Sequence, residues 1–142
     1  MFKRFRSATK LLKADKAAVR ITSFLRPCMV LALQPGGSID PKLMSDEFVV
    51  AYVYGVIAAG LEALGVNDQE EAGYSIQQVY ERLFPNNGKS VTELCNQRAA
   101  QKDPEFTRAG ALGYGEMIEM FDSEGQKILQ SLLDHVCKNY EG

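Results

Sequence analysis

Histidine, cysteine and tryptophan are scarce in this sequence, and their scarcity excludes several kinds of site. The 142 residues include no tryptophan, one histidine and three cysteines, which are Cys28, Cys95 and Cys137. An odd number of widely separated cysteines forms neither a disulfide framework nor a zinc ligand set. We therefore expect three reduced cysteines in the core, no metal or other cofactor, and a cytoplasmic protein.

The single histidine also restricts nucleophilic catalysis. Any Ser/His/Asp or Cys/His site would have to use His135. Cys137 follows two positions later, about 200° around a helix, so the two side chains cannot meet on one helix face. The sequence therefore favours a polar histidine on the last helix and a role other than catalysis.

Long apolar runs are missing as well. Residues 48–61 are fourteen uncharged residues, which is the length of a buried core helix rather than of a membrane span. A span of about nineteen residues would place Glu62 in the bilayer at a cost of a few kcal/mol. This segment therefore predicts a buried helix.

The net charge is small, but the two signs are unevenly distributed along the chain. Residues 1–26 carry eight basic groups and one acid, a net +7, and the other residues carry eight basic and seventeen acidic groups, a net −9. The N-terminal segment lacks the uninterrupted apolar stretch of a secretory signal, although it shares the basic, acid-poor composition of a mitochondrial presequence. We expect residues 1–26 to form a structural, basic amphipathic helix, packed on the domain or projecting from it.

Three kinds of partner suit a basic amphipathic helix. They are an anionic membrane surface, the phosphates of a nucleic acid, and an acidic protein surface, including that of the chain itself. The acidic remainder of the chain and the lack of a recognition helix argue against nucleic acid. The alternative is a core helix whose solvent face is rich in lysine. The residues predicted to contact an anionic partner are Lys3, Arg4, Arg6, Lys10 and Lys13.

Apolar residues recur at helical spacing along most of the chain. The pattern predicts a single all-α domain over residues 1–142, a bundle of six to seven helices with a buried apolar helix at about 48–64. Residues 28–33 are left open between a helical turn and a short strand. The expected helix starts are Asp40–Pro41 or Ser45, Asn67 with Glu70, Ser90 with Glu93, Asp103–Pro104, and Asp122 or Ser123.

Two of the predicted helices carry small residues on one face. In "AGALGYGE", residues 109–116, Gly110 and Gly113 fall on the apolar stripe, whereas Gly115 falls on the opposite side and is unexplained. The glycine spacing does not match a nucleotide-binding loop, and no strand precedes it. We predict a close helix–helix contact, or alternatively a homo-oligomer interface, made by Ala51, Gly55, Ala59, Gly110 and Gly113.

Acidic residues supply the candidates for a ligand pocket. Glu62 lies on the small face of the most apolar helix, where burial without a partner would mark a site. Glu116 begins a run of acids spaced by three residues, as in di-metal bundles, but those sites also require a Glu-x-x-His motif that the chain lacks. A solvated acidic edge is the alternative. The pocket candidates are Glu62, Tyr114 and Glu116.

These patterns together favour a non-catalytic interaction module that self-associates as a homo-dimer. It would bind another macromolecule through the basic N-terminal helix or through the small-residue helix faces. One alternative is a small-molecule-binding or hydrolytic protein with a pocket near Glu62 and Glu116. Another is a peripheral membrane protein anchored by residues 1–26.

Overall fold

Helices account for most of the described chain in a computed structural model. The structure describes residues 2–32 and 39–140, with side-chain surroundings for residues 11–29 and 39–140. Two 3₁₀ helices occupy Arg26–Ala32 and Pro41–Ser45. The α-helices of these ranges are α1 (Phe2–Leu25), α2 (Glu47–Ala63), α3 (Gln69–Leu83), α4 (Gly88–Ala100), α5 (Pro104–Asp122) and α6 (Gln130–Asn139). The predicted all-α bundle is confirmed, and residues 28–32, left open by the sequence, are 3₁₀-helical.

Aspartates begin three of the α-helices. Asp46 accepts a hydrogen bond from the Val49 N–H, and Asp68 accepts from the first turn of α3. Asp103 does the same for α5, with Pro104 in the first turn as predicted. A carboxylate at this position satisfies N–H groups that have no partner within the helix and also suits the positive end of the helix dipole.

The predicted starts of α2 and α3 are wrong by one or more residues. Asp40 caps the short 3₁₀ helix instead of α2, and Ser45 is the last residue of that 3₁₀ helix. The cap of α3 is Asp68 rather than Asn67. In both places two capping residues lie close together, and the local pattern does not say which of them the packed helix uses.

The predicted starts of α4 and α6 are also wrong. Ser90 lies inside α4, which begins at Gly88 because the Glu81 carboxylate of α3 accepts the N–H groups of Asn86 and Gly88 at 2.6 and 2.8 Å. The start of α4 therefore depends on a contact with α3 that the local sequence pattern does not contain. Asp122 is the last residue of α5 and Ser123 is its C-terminal cap, whereas α6 starts only at Gln130.

The centre of the bundle is α2, which is buried from Val49 to Leu61 except for Tyr54 and Ala58. It packs against α5 along its length and also contacts α1, α3 and α4. Tyr80 of α3 donates a hydrogen bond to the Val50 carbonyl at 2.8 Å, which satisfies a buried hydroxyl beside the central helix. The charged end of α2 lies in solvent, where Glu62 is exposed.

Glycines bring the backbones of α2 and α5 together. A Cβ atom on Gly55 would overlap the carbonyl oxygen of Gly110, and a Cβ atom on Gly113 would overlap the carbonyl oxygen of Tyr52. The Ala51 carbonyl lies 3.5 Å from the place of a Cβ atom on Gly110. The small face of α2 is therefore covered by α5 within the chain, and it offers no free surface to a second copy.

Candidate functional site

Glu62 and Tyr114 form a pair on the surface between α2 and α5. Tyr114 donates a hydrogen bond to the Glu62 carboxylate, and this bond raises the pKa of Tyr114. Glu62 is exposed and Tyr114 is half-buried. The pair therefore links two helix surfaces in water.

Glu116 lies elsewhere and is fixed by contacts with two other segments. Its carboxylate accepts hydrogen bonds from the Tyr52 hydroxyl at 2.9 Å and from the Ser131 N–H at 2.9 Å, and also from the Ser131 hydroxyl. Burial and the bond to Glu116 raise the pKa of Tyr52 well above its ordinary value. Glu116 thus ties α5 to α2 and α6.

Asp46, His135 and Tyr140 form a polar cluster that the sequence did not predict. His135 Nε2 and the Tyr140 hydroxyl each donate to Asp46 Oδ2 at 2.8 Å, and Phe48 stacks on the His135 ring with the centroids 4.5 Å apart. Burial raises the pKa of Asp46, but the hydrogen bonds from His135, Tyr140 and the Val49 N–H outweigh it, so the pKa is lowered. Burial, followed by the bond to Asp46, raises the pKa of Tyr140 to about 12.

This cluster joins the start of α2 to the last helix, and its geometry is that of a structural joint. The hydrogen bonds of the described residues bring no serine or cysteine side chain to His135. In the chain, His135 follows Asp46 by 89 positions and Tyr140 follows it by 94. The sequence placed His135 on the last helix, but it predicted neither the cap at Asp46 nor a partner for the histidine.

The cysteines and the other acids add no metal centre to the described ranges. No group of three or more histidine, cysteine, aspartate or glutamate residues there is placed to hold a metal ion. Cys28 and Cys95 are buried free thiols, and Cys137 is a half-buried free thiol. Burial raises the pKa of Cys95 to about 11, although its hydrogen bond with Tyr80 acts in the opposite direction. None of the helices in the described ranges is long and apolar enough to cross a membrane.

The outer face of α1 combines exposed cations with exposed apolar side chains. Lys13, Lys16 and Arg20 are exposed. Three apolar side chains of α1 also have large exposed fractions, Leu11 at 43%, Leu12 at 55% and Val19 at 45%, and helical spacing places Leu12 and Val19 beside Lys16. The opposite face of the same helix is buried through Ala14, Ala18, Ile21 and Leu25. The predicted contacts Lys3, Arg4, Arg6 and Lys10 belong to α1, but their side chains lie outside the described part of the chain.

A shallow depression runs along this face. Its volume is about 360 Å³, and its lining residues are Leu12, Lys13, Lys16, Ala17, Arg20 and Leu64. Lys13 donates a hydrogen bond to the Gly65 carbonyl at 2.7 Å, which supports the end of α2. The Arg20 guanidinium lies 5.8 Å from the ring centre of Phe24. Lys13 and Arg20 therefore have contacts within the chain, and both keep an exposed surface.

A second cavity lies at the other end of α2, between its first turn, α4 and α5. Its volume is about 350 Å³. The apolar floor of this groove consists of Met44, Phe48, Val50, Leu94, Phe106 and Ala109. Leu94 is 41% exposed, and Tyr54 packs on Phe106 with the ring centroids 5.5 Å apart. These residues come from three separate segments, so no local pattern predicted the groove.

Charged side chains form the rim of this groove. Arg98 pairs with Glu47 at 2.8 Å and with Asp103 at 3.2 Å, and Glu105 also lines the opening. Hydrogen bonds from the Phe106 N–H, from Arg98 and from the Glu105 N–H lower the pKa of Asp103. The rim thus has three carboxylates and one guanidinium and carries net negative charge. Neither Glu62, Tyr114 nor Glu116 lines either cavity.

Comparisons with known proteins give no relative from which to transfer a function. No family model matches the chain, and neither the curated proteins nor the solved structures contain a significant match. The exposed face of α1 and the groove are two surfaces of the described chain that offer apolar side chains beside charges.

Proposed function

We propose that this chain is a non-catalytic helical interaction module that self-associates through the outer face of α1. The observation that supports the proposal is the exposure of Leu12 and Val19 beside the cations Lys16 and Arg20. Burying each of these half-exposed side chains would contribute about 1 kcal/mol. The cations would steer the approach of an acidic surface. The second copy offers such surfaces, because the residues after position 26 carry a net charge of −9.

The other surfaces predicted from the sequence, which are the small helix faces and the pocket candidates, support self-association less well. The small faces of α2 and α5 cover each other within the chain. The pair of Glu62 with Tyr114 and the bonds of Glu116 occupy the side chains that were candidates for a ligand pocket. The face of α1 is the candidate surface that is still exposed, and a cytoplasmic location is the setting that we expect for it.

A membrane surface fits the geometry of α1 less well than a protein does. An interfacial helix inserts a wide apolar face into the lipid and keeps its charges on the opposite side. The wide apolar face of α1 is already buried against the domain through Ala14, Ala18 and Ile21. The exposed face mixes leucine with lysine, which suits a protein surface that offers both apolar and acidic groups.

Sedimentation velocity over a range of concentrations tests the proposal. We expect the mean mass to rise with concentration and the association to weaken with salt, because screening acts on exposed charges. We expect two variants to raise the dimer Kd at least tenfold. One is the double variant that combines Leu12→Ser and Val19→Ser, and the other is the single variant Lys16→Glu. Matched controls are Ile128→Ser, where the side chain is 48% exposed, and Lys89→Glu, and both should stay within about twofold.

Two results would contradict the proposal. One is a monomer up to about 1 mM at low salt, since a Kd of that size corresponds to only about 4 kcal/mol. The other is binding of the monomer to vesicles of anionic phospholipid that the α1 variants abolish. That second result would favour the peripheral membrane protein over the self-associating module.

A further inference from the structure

We infer that the groove between α2, α4 and α5 is the surface that receives the outer face of α1 from a second copy of this chain. The inference rests on the proposed self-association and names the surface that completes it. Two properties of the groove, its charge and its apolar floor, match the exposed face of α1.

The charges of the two surfaces are opposite. The rim of the groove carries the acids Glu47, Asp103 and Glu105 together with Arg98, whose guanidinium is already paired with Glu47 and Asp103. This pairing neutralises Arg98, so Arg98 presents little repulsion to an incoming cation. The exposed face of α1 presents Lys16 and Arg20, and the sequence of residues 2–12 contains four further cations and no acid. A basic helix is therefore the occupant that this rim attracts.

The apolar parts of the two surfaces also match. Phe48, Leu94 and Phe106 give the floor two aromatic rings and one leucine with a large exposed fraction. A volume of about 350 Å³ is at the lower end of the range for ligand pockets and suits a few apolar side chains. Leu12 and Val19 are seven residues apart on α1 and both are exposed, which is the spacing at which a helix presents anchors to a groove.

A single copy cannot bring these two surfaces together. The depression on α1 is bordered by Leu64 at the end of α2, whereas the groove is lined by Phe48 in the first turn of α2. Sixteen residues of helix separate these positions by about 24 Å. A second copy supplies the missing surface, and two copies that exchange this contact reciprocally form a closed dimer with twofold symmetry.

Charge and size variants in the groove test the inference by sedimentation velocity. Leu94→Ser and Glu105→Lys should each raise the dimer Kd at least tenfold. The matched control for the first is Leu112→Ser on α5, where the exposed fraction is the same 41%. Glu105→Gln keeps the size of the side chain at the start of α5 and should give a smaller loss in the same direction. Circular dichroism and the urea midpoint of each variant identify any that fail to fold.

A charge exchange and a distance measurement complete the test. Combining Lys16→Glu with Glu105→Lys in one chain should restore the Kd to within about threefold of the original protein. In a mixture of labelled and unlabelled chains, intermolecular nuclear Overhauser effects should join the Leu12 methyl groups to the rings of Phe48 and Phe106.

The outcomes separate this inference from the proposed function. If the α1 variants weaken association and the groove variants do not, the groove is not the acceptor, and self-association through α1 stands. If the groove variants alone weaken association, the role of α1 is wrong and both proposals fall. If the protein is monomeric throughout, both fall as well.

Discussion

Gly55 of α2 lies against the carbonyl group of Gly110 of α5, with no room for a side chain between the two backbones. One helical turn away, Gly113 lies in the same way against the carbonyl group of Tyr52. Small residues at these positions allow close approach, and the dispersion contacts of the two backbones replace those of missing side chains. The contact holds the central helix to α5 and fixes where the other side chains of both helices lie.

Adding one methyl group at this contact should destabilise the fold strongly. We expect Gly55→Ala and Gly113→Ala each to lower the free energy of unfolding by about 2–4 kcal/mol, because the new Cβ atom meets backbone that cannot rotate away. Urea unfolding followed by circular dichroism measures the change. A loss below about 1 kcal/mol would show that the two helices separate at little cost.

The same substitution at Gly115 should have the opposite effect. A Cβ atom on Gly115 would meet nothing within 4 Å, and the residue lies inside α5 with a solvent-exposed surface. Alanine is favoured over glycine within a helix by about 1 kcal/mol, so Gly115→Ala should raise the free energy of unfolding by roughly that amount. A Cβ atom on Gly73 of α3 would also meet nothing within 4 Å, so Gly73→Ala should raise the free energy of unfolding by a similar amount. Destabilisation at Gly115 alone would contradict this account of the open face.

Periodic features were visible in the sequence, and contacts between distant segments were not. Helical angles placed Gly110 and Gly113 on one side and Gly115 on the other, because a helix fixes such angles locally. The basic character of α1 was equally visible in composition. The bond between Asp46 and His135 joins positions 89 apart, and periodicity carries no information about such a pair. The groove could not be predicted for the same reason, because its lining residues come from separate segments of the chain.

The bonds of Glu116 should contribute more to stability than the exposed pair of Glu62. We expect Glu116→Ala to cost about 2–3 kcal/mol, because it leaves the hydroxyl of the buried Tyr52 without its acceptor. Tyr52→Phe should cost about 1 kcal/mol. A double-mutant cycle of the two by urea unfolding should give a coupling energy above about 0.5 kcal/mol.

The surface pair provides the control for this cycle. Glu62→Ala removes the bond from Tyr114 at an exposed position, so its effect should stay within about 0.5 kcal/mol. If Glu116→Ala lowered the free energy of unfolding as little as Glu62→Ala does, the hydrogen bonds of Glu116 to α2 and α6 would not stabilise the fold.

Replacing Asp46 should change how the stability of the protein depends on pH. The pKa of Asp46 is lowered in the folded state. Its ionised form therefore contributes stability above the pKa of an aspartate in the unfolded chain, which is about 4. That contribution is lost as the pH falls through the lower folded pKa. His135 and Tyr140 both donate hydrogen bonds to this carboxylate.

The variant Asp46→Asn retains an oxygen that can cap α2 but loses the acceptor for His135 and Tyr140. We expect a loss of about 1–2 kcal/mol at pH 7 and a difference from the original protein that shrinks as the pH falls from about 5 to 2. Urea unfolding at a series of pH values measures both quantities. Asp134→Asn, at an exposed position of α6, is the control and should follow the original protein throughout. A difference that stayed constant from pH 7 to pH 2 would show that the charge of Asp46 does not stabilise the joint.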